Sequence, residues 1–199
     1  GPRAAANGAV SAPGGSFTLV DHHGRAVTDK DFRGKFLLVF FGYTHCVDVC
    51  PTTLLEISTV MEQLGRVAQN VRPLFITVDP ERDTPQFLAE YLEAFDAGII
   101  GLSGTPEETR RVAAAYKVHY AKKSPDPALQ QSHEHHNAHD EGGRDVMYNV
   151  EHSPFIYFMG PTGEYISHFA PGTPSELMAR TIRDGIERSA RNLTETPQR

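Results

Sequence analysis

The chain has 199 residues, 39% apolar and 22% charged, a balance that fits one globular domain, at most two, with a core large enough to fold without a metal or disulfide framework. Two cysteines exclude a disulfide scaffold, and a formal net charge of -6 with no basic block excludes nucleic acid and anionic membrane surfaces as partners. The longest apolar run, Phe36 to Phe41, falls far short of the roughly 20 residues that cross a bilayer.

Residues 1–16 are mostly Ala, Gly, Ser and Pro, and are expected to form a flexible tail. The opening Gly1-Pro2 has the look of a tag scar, behind which a native signal or membrane anchor would have been removed. Phe17 to Val20 and Ala26 to Thr28 predict a hairpin around Asp21–Arg25. Phe36 to Phe41 predicts a strand covered on both faces. A helix is expected from Pro51, with Leu54, Ile57, Met61 and Leu64 on its apolar face. Leu74 to Val78 is the next buried strand, followed by a helix from Pro85 carrying Phe87, Leu88, Tyr91, Leu92 and Phe95.

The alternation continues with a short strand over Ile99 to Leu102 and a helix opened by Thr105-Pro106-Glu107-Glu108 and running to about Tyr116. Residues 121–145 break the pattern and are expected to be an exposed insertion containing His133, His135, His136 and His139. Pro154 to Met159 and Glu164 to Phe169 predict a hairpin across Gly160-Pro161-Thr162-Gly163. Thr173-Pro174-Ser175-Glu176 repeats the capping signature before a last helix, and residues 191–199 form a polar tail. The fold class is therefore α/β, a central mixed sheet between helices.

Both thiols lie in Phe41-Gly42-Tyr43-Thr44-His45-Cys46-Val47-Asp48-Val49-Cys50-Pro51, where a buried strand enters a helix. Proline disfavours the α conformation in the residue before it, which puts Cys50 at the helix boundary and Cys46 in the loop. The helix N-terminus favours thiolate over thiol, and thiolates bind metal or attack disulfides. A structural disulfide across so few residues would contribute only about 2 kcal/mol, which a chain of this size does not need. The choice is then between a redox dithiol and a soft-metal site. Three intervening residues and no flanking tryptophan favour metal over thioredoxin-type redox chemistry.

Two thiolates need a third donor to hold a metal. Among ten histidines, His22 and His23 fall in a turn and are expected to be solvated, and His119 and His168 lie in strand-like segments without a role. His45 adjoins Cys46, but a neighbour in a tight loop need not point the same way. His152 stands just before a buried strand, where a loop meets the ends of neighbouring strands, and is the candidate donor. Asp79, at the end of the second buried strand, either orients a ligand or caps the turn Asp79-Pro80-Glu81-Arg82-Asp83.

The sequence resembles the Sco/SenC family of copper proteins that assemble cytochrome c oxidase. The resemblance rests on Phe41-Gly42-Tyr43-Thr44 before Cys46, Cys50 and Pro51, on Val78-Asp79-Pro80-Glu81-Arg82-Asp83-Thr84-Pro85, and on His152-Ser153 before Tyr157 and the Gly160–Gly163 turn. It covers about Phe17 to Ile186. The family implies a thioredoxin-like fold over residues 17–190 with an extra N-terminal hairpin, and a copper site at Cys46, Cys50 and His152. It also implies an N-terminal anchor on the periplasmic or mitochondrial intermembrane side. The histidine-rich insertion departs from the family pattern, as does Glu151 where an aspartate is expected.

Thiolates suit Cu(I), and an added imidazole can also hold Cu(II). The leading expectation is a copper metallochaperone that delivers copper, received from an upstream donor protein, to the CuA site of cytochrome c oxidase subunit II. The alternative is a thiol-disulfide oxidoreductase using Cys46 and Cys50 on the recipient's cysteines, with a peroxiredoxin-like peroxidase third. His133, His135, His136 and His139 are candidate auxiliary copper ligands.

Overall fold

The structure, a computed structural model, describes residues 11–46, 49–95, 97–123, 149–152 and 154–195, with residues 122–123 and 149–152 described as backbone. Among the described residues fifteen elements follow in order, two of them short 3-10 segments at Asp29–Phe32 and Gly65–Asn70. The strands are β1 (Thr18–Asp21), β2 (Ala26–Thr28), β3 (Phe36–Gly42), β4 (Val71–Thr77), β5 (Ile100–Ser103), β6 (Tyr120–Lys123), β7 (Asn149–His152), β8 (Ile156–Met159) and β9 (Tyr165–Phe169). The helices are α1 (Val49–Leu64), α2 (Pro85–Leu92), α3 (Pro106–Ala115) and α4 (Ser175–Thr194).

Seven strands form one mixed sheet in the order β2-β1-β5-β4-β3-β8-β9, while β6 and β7 form a separate two-stranded ribbon. β3 runs parallel to β4, with Gly42 opposite Thr77, and antiparallel to β8, with Phe40 opposite Ile156. All seven residues of β3 are buried, as a strand covered on both faces requires. Phe40, Phe41, Phe75 and Phe158 are among the largest fully buried side chains, each stabilising the fold by roughly 1.5–3 kcal/mol relative to an exposed ring. α1 packs against α4, and α2 lies on β5, where Gly101 lets Leu88 and Leu92 approach the strand.

Local chemistry explains most helix ends. Thr84 caps α2 by accepting from the Phe87 N–H, and Thr105 and Glu108 form the expected capping box of α3. The expected cap of the last helix is absent. Pro174 takes the cap position and the Thr173 hydroxyl donates instead to the Ala170 carbonyl, closing the preceding turn. α4 also continues through residues 191–194 of the expected tail. At the other end, the Gly14 N–H donates to the Ala115 carbonyl and Lys117 Nζ to Ser11 Oγ, so residues 11–14 lie against the end of α3.

α3 itself ends in a Schellman arrangement. The Val118 N–H reaches the Ala113 carbonyl at 2.8 Å and the Lys117 N–H reaches Ala114 at 3.1 Å. Lys117, at φ 61°, occupies the left-handed position usually given to glycine. Residues 121–123, assigned from sequence to the insertion, instead continue β6, where Tyr120 pairs with His152 and Lys123 with Asn149. The histidines at 133, 135, 136 and 139 lie outside the described residues.

Candidate functional site

The site begins where the two central parallel strands end. The Val78 N–H donates to the Gly42 carbonyl at 2.9 Å, extending the β3–β4 ladder by one bond. A turn then closes from the Cys46 N–H to the Tyr43 carbonyl at 3.3 Å, with Thr44 and His45 at its centre. A β-carbon on Gly42 would sit 2.6 Å from Phe75 Cε2 and 2.9 Å from Cys50 Sγ, so the last residue of β3 must be glycine for the sulfur to seat there.

Cys50 falls inside the first turn of α1, which starts at Val49, two residues earlier than the proline rule placed it. Pro51 is tolerated because first-turn N–H groups have no helical acceptor. Neither cysteine is in a disulfide: Cys46 is half-buried and Cys50 is 0% exposed. The expectation of a thiolate at the helix start fails for Cys50. Burial pushes its pKa far up, and the nearby Cys46 and Asp83 add to the rise against a backbone hydrogen bond at Tyr43. Desolvation outweighs the helix dipole, so the metal-free Cys50 holds its proton.

Beneath the turn lies Asp83, which is 0% exposed. Its Oδ2 accepts from the Thr44 N–H at 3.0 Å and the Thr77 hydroxyl at 2.6 Å, and its Oδ1 accepts from the Thr44 hydroxyl at 2.5 Å. Burial raises the Asp83 pKa; the Thr44 and Thr77 hydrogen bonds oppose the rise and Asp79 reinforces it. Asp79, also 0% exposed, pairs through Oδ2 with Arg82 Nε at 2.5 Å, and its carbonyl accepts the Asp83 N–H at 2.9 Å. These two bonds close the Asp79–Asp83 turn.

His45 is exposed and stacks on Phe87, with ring centroids 6.0 Å apart. One ligand atom each from His45, Asp79 and Asp83 lies within 4.8 Å of the others, but Arg82 already engages Asp79, and Thr44 and Thr77 engage Asp83. Tyr91 on α2 completes the surroundings. Its hydroxyl is buried with no hydrogen-bond partner among the described residues, and burial raises its pKa, with smaller contributions from Cys50, Cys46 and Asp83.

His152 is the last residue of β7, four residues before Ile156, where β8 begins opposite Phe40. Because β8 runs antiparallel to β3, the start of β8 and the end of β3 share one end of the sheet. The backbone therefore brings His152 to the end where the cysteine turn emerges. Of the other histidines, His22 is not the solvated residue expected from its turn: its Nδ1 accepts the Gly101 N–H at 3.0 Å, tying the β1–β2 turn to β5. His168 stacks among Phe155, Tyr157 and Tyr165, and His23 and His119 are exposed.

Sequence reasoning missed Asp83, Thr44 and Tyr91. For Tyr91 the available signal was a polar-tipped ring on the apolar face of α2; for Asp83 it was a second carboxylate closing the turn that follows β4.

A mixed sheet between helices, with a dithiol where the central strand runs into a helix, defines the thioredoxin-like class. Within that class the chain belongs to the SCO1/SenC family, whose profile matches residues 5–187. Protein sco1 of Schizosaccharomyces pombe is 41% identical over 171 residues, 85% of this chain and 59% of that protein. The human mitochondrial SCO1 homolog is 40% identical over 171 residues, 85% of this chain and 51% of that protein. The chain thus spans between about half and three fifths of these relatives. Arabidopsis thaliana ScoI, solved with copper bound, superposes with a TM-score of 0.75 at 32% identity over 89% of this chain and 99% of that one. Copper-bound ScoI of Bradyrhizobium japonicum gives 0.70 at 40% identity over 87% and 99%.

Proposed function

We propose that this protein is a copper metallochaperone whose residues 17–190 carry copper to the CuA site of cytochrome c oxidase subunit II. Cys46, Cys50 and His152 are its ligands. The observation that carries this is the pair of thiols, not joined in a disulfide, where the central strand runs into α1, with Cys50 seated against Gly42 at the end of the sheet core. Two soft sulfurs held side by side match the preference of Cu(I), and an imidazole from the same end of the sheet extends the set to Cu(II). The copper bound in the solved ScoI relatives supports the same cargo.

Copper is the cargo, so loading replaces thiol protons by metal and releases them to solvent. Delivery is ligand exchange: the recipient's cysteines displace Cys46 and Cys50 one at a time, after His152 has left, since imidazole holds Cu(I) less firmly than thiolate. The chain receives copper from an upstream donor protein and acts from an N-terminal membrane anchor on the periplasmic or intermembrane side. Asp79 orients the site from behind, and His133, His135, His136 and His139 form an auxiliary copper-binding tract.

The unequal exposure of the two thiols favours one further reading, thiol-disulfide exchange on the recipient. The Cys46 thiolate attacks the recipient's disulfide, forming a mixed disulfide and releasing one recipient thiolate. Cys50, deprotonated, then attacks Cys46 Sγ, releasing the second, so two electrons pass and a Cys46–Cys50 disulfide remains.

Copper titration of the reduced protein and of His152→Ala tests the proposal. One equivalent bound tightly, with a sulfur-to-copper charge-transfer band altered in the variant, is expected. Equal affinity and an unchanged spectrum in the variant, with brisk thiol exchange, would leave only the oxidoreductase. Deleting residues 126–142 is expected to remove additional copper equivalents and spare the first.

A further inference from the structure

We propose that Asp83 is a positioning residue that fixes Cys46 for copper by clamping the turn that carries it. Cys46 occupies the last position of the Tyr43–Cys46 turn, so the direction of its sulfur follows from the placement of the two central residues. Thr44, the first of these, is held twice by one carboxylate, through its N–H at 3.0 Å and its hydroxyl at 2.5 Å. The same carboxylate accepts from Thr77 at the end of β4 at 2.6 Å.

Asp83 is itself fixed from two further directions. Its N–H donates to Asp79 and its carbonyl accepts from Ser103 Oγ on β5 at 3.2 Å. One buried group thus references the Cys46 turn to β4, the parallel neighbour of β3, and to β5 beyond it. Such an arrangement is stronger than a cap on a local turn requires, since a cap would be satisfied within Asp79–Asp83. Removing second-layer hydrogen bonds of this kind typically weakens metal binding 10- to 100-fold.

The clamp acts through position, because its oxygens are taken up by Thr44 and Thr77. Asn at this site keeps one oxygen for the Thr44 N–H and the Thr77 hydroxyl, while its amide donates to the Thr44 hydroxyl. Asp83→Asn therefore preserves the clamp without the charge, whereas Asp83→Ala removes it. Thr44→Val removes only the hydroxyl arm.

The proposal rests on the copper reading, so the experiment includes a metal-free readout. Asp83→Ala, Asp83→Asn and Thr44→Val are compared with the unmutated protein in Cu(II) spectra, Cu(I) competition titration and the rate at which metal-free Cys46 exchanges with a small aromatic disulfide. Asp83→Ala is expected to shift the charge-transfer band, weaken Cu(I) binding at least about tenfold and change the exchange rate. Thr44→Val is expected to change them less, and Asp83→Asn to restore all three. Folded Asp83→Ala and Thr44→Val with unaltered band, affinity and exchange rate overturn the proposal. So does Asp83→Asn as impaired as Asp83→Ala, which would assign the effect to charge. If Asp83→Ala does not fold, Thr44→Val decides alone. If the unmutated protein binds no copper, the copper reading fails while the exchange rates still judge the clamp.

Discussion

Two parts of the molecule converge on one end of the sheet, and they are built in different ways. The sulfur half is continuous with the core: Gly42 ends a fully buried strand, Cys50 is sealed inside the first turn of α1, and Asp83 ties the Cys46 turn to β4. The His152 half is the end of a two-stranded ribbon, and among the described residues β7 pairs only with β6. Two strands alone are marginally stable in water, so the ribbon depends on its attachment. Tyr120, opposite His152, provides it by packing against the core. The chain has thus settled the sulfur geometry during folding and left the third candidate ligand to an appended element.

This contrast is broken most forcefully at Gly42. Adding a methyl group there places it 2.6 Å from Phe75 and 2.9 Å from the Cys50 sulfur, so Gly42→Ala is expected to destabilise the protein by about 1–3 kcal/mol, read by denaturant melting. An unchanged midpoint would show that the sulfur half yields as easily as the ribbon. The next effect is kinetic. A limiting alkylating reagent on the reduced, metal-free protein is expected to modify Cys46 at least about tenfold faster than Cys50, since each unit of pKa is tenfold in thiolate fraction and Cys50 is also shielded. Equal labelling by mass spectrometry would show a dithiol far less sealed than its burial implies.

The legibility of the sequence follows the same divide. The apolar run of β3 and the capping box of α3 announce their elements because the signal is local, and the dithiol stands out because both thiols lie where a buried strand gives way to Pro51. Asp83 carries only the signal of a second carboxylate in a turn. In Asp79-Pro80-Glu81-Arg82-Asp83 it looks like any turn carboxylate, and only tertiary closure puts it under Thr44, 39 residues away. The thiolate expected at Cys50 failed for the same reason, since the helix dipole is visible in sequence and full burial is not. Thr173 shows that a capping pattern can be diverted when a nearer carbonyl, Ala170, takes the hydroxyl. Residues 121–123 fall in the expected insertion because their partner strand lies beyond residues 124–148, and a ribbon closed over such a distance leaves no periodicity to read.

Smaller changes sharpen the comparison from the ribbon side. Lys117 sits in the left-handed region at the turn that leads from α3 to β6, a conformation glycine adopts freely. Lys117→Gly is expected to stabilise the protein by about 0.5–1 kcal/mol, the conformational relief exceeding the entropy glycine adds to the unfolded chain. Thermal melting checks this, and a lowered midpoint would mean that the contact of Lys117 with Ser11 matters more than backbone strain.

The smallest effect belongs to His22, at the opposite side of the sheet, and serves as a control on both halves. Burial and the adjacent His23 hold its pKa below the ordinary 6.5, against the pull of Asp21. The unfolded chain then binds a proton that the folded chain resists, so this contribution is fully present above about pH 6.5 and is lost progressively as the pH falls through the range below it. Melting curves between about pH 7.5 and about pH 5.5 are expected to show a shallower decline for His22→Gln than for the unmutated protein. Cys46 exchange rates should be identical in the two at each pH, because His22 reaches β5 and not the β3–α1 turn. A parallel decline in both proteins would remove His22 as the source, and a change in Cys46 exchange would connect the far edge of the sheet to the sulfur half.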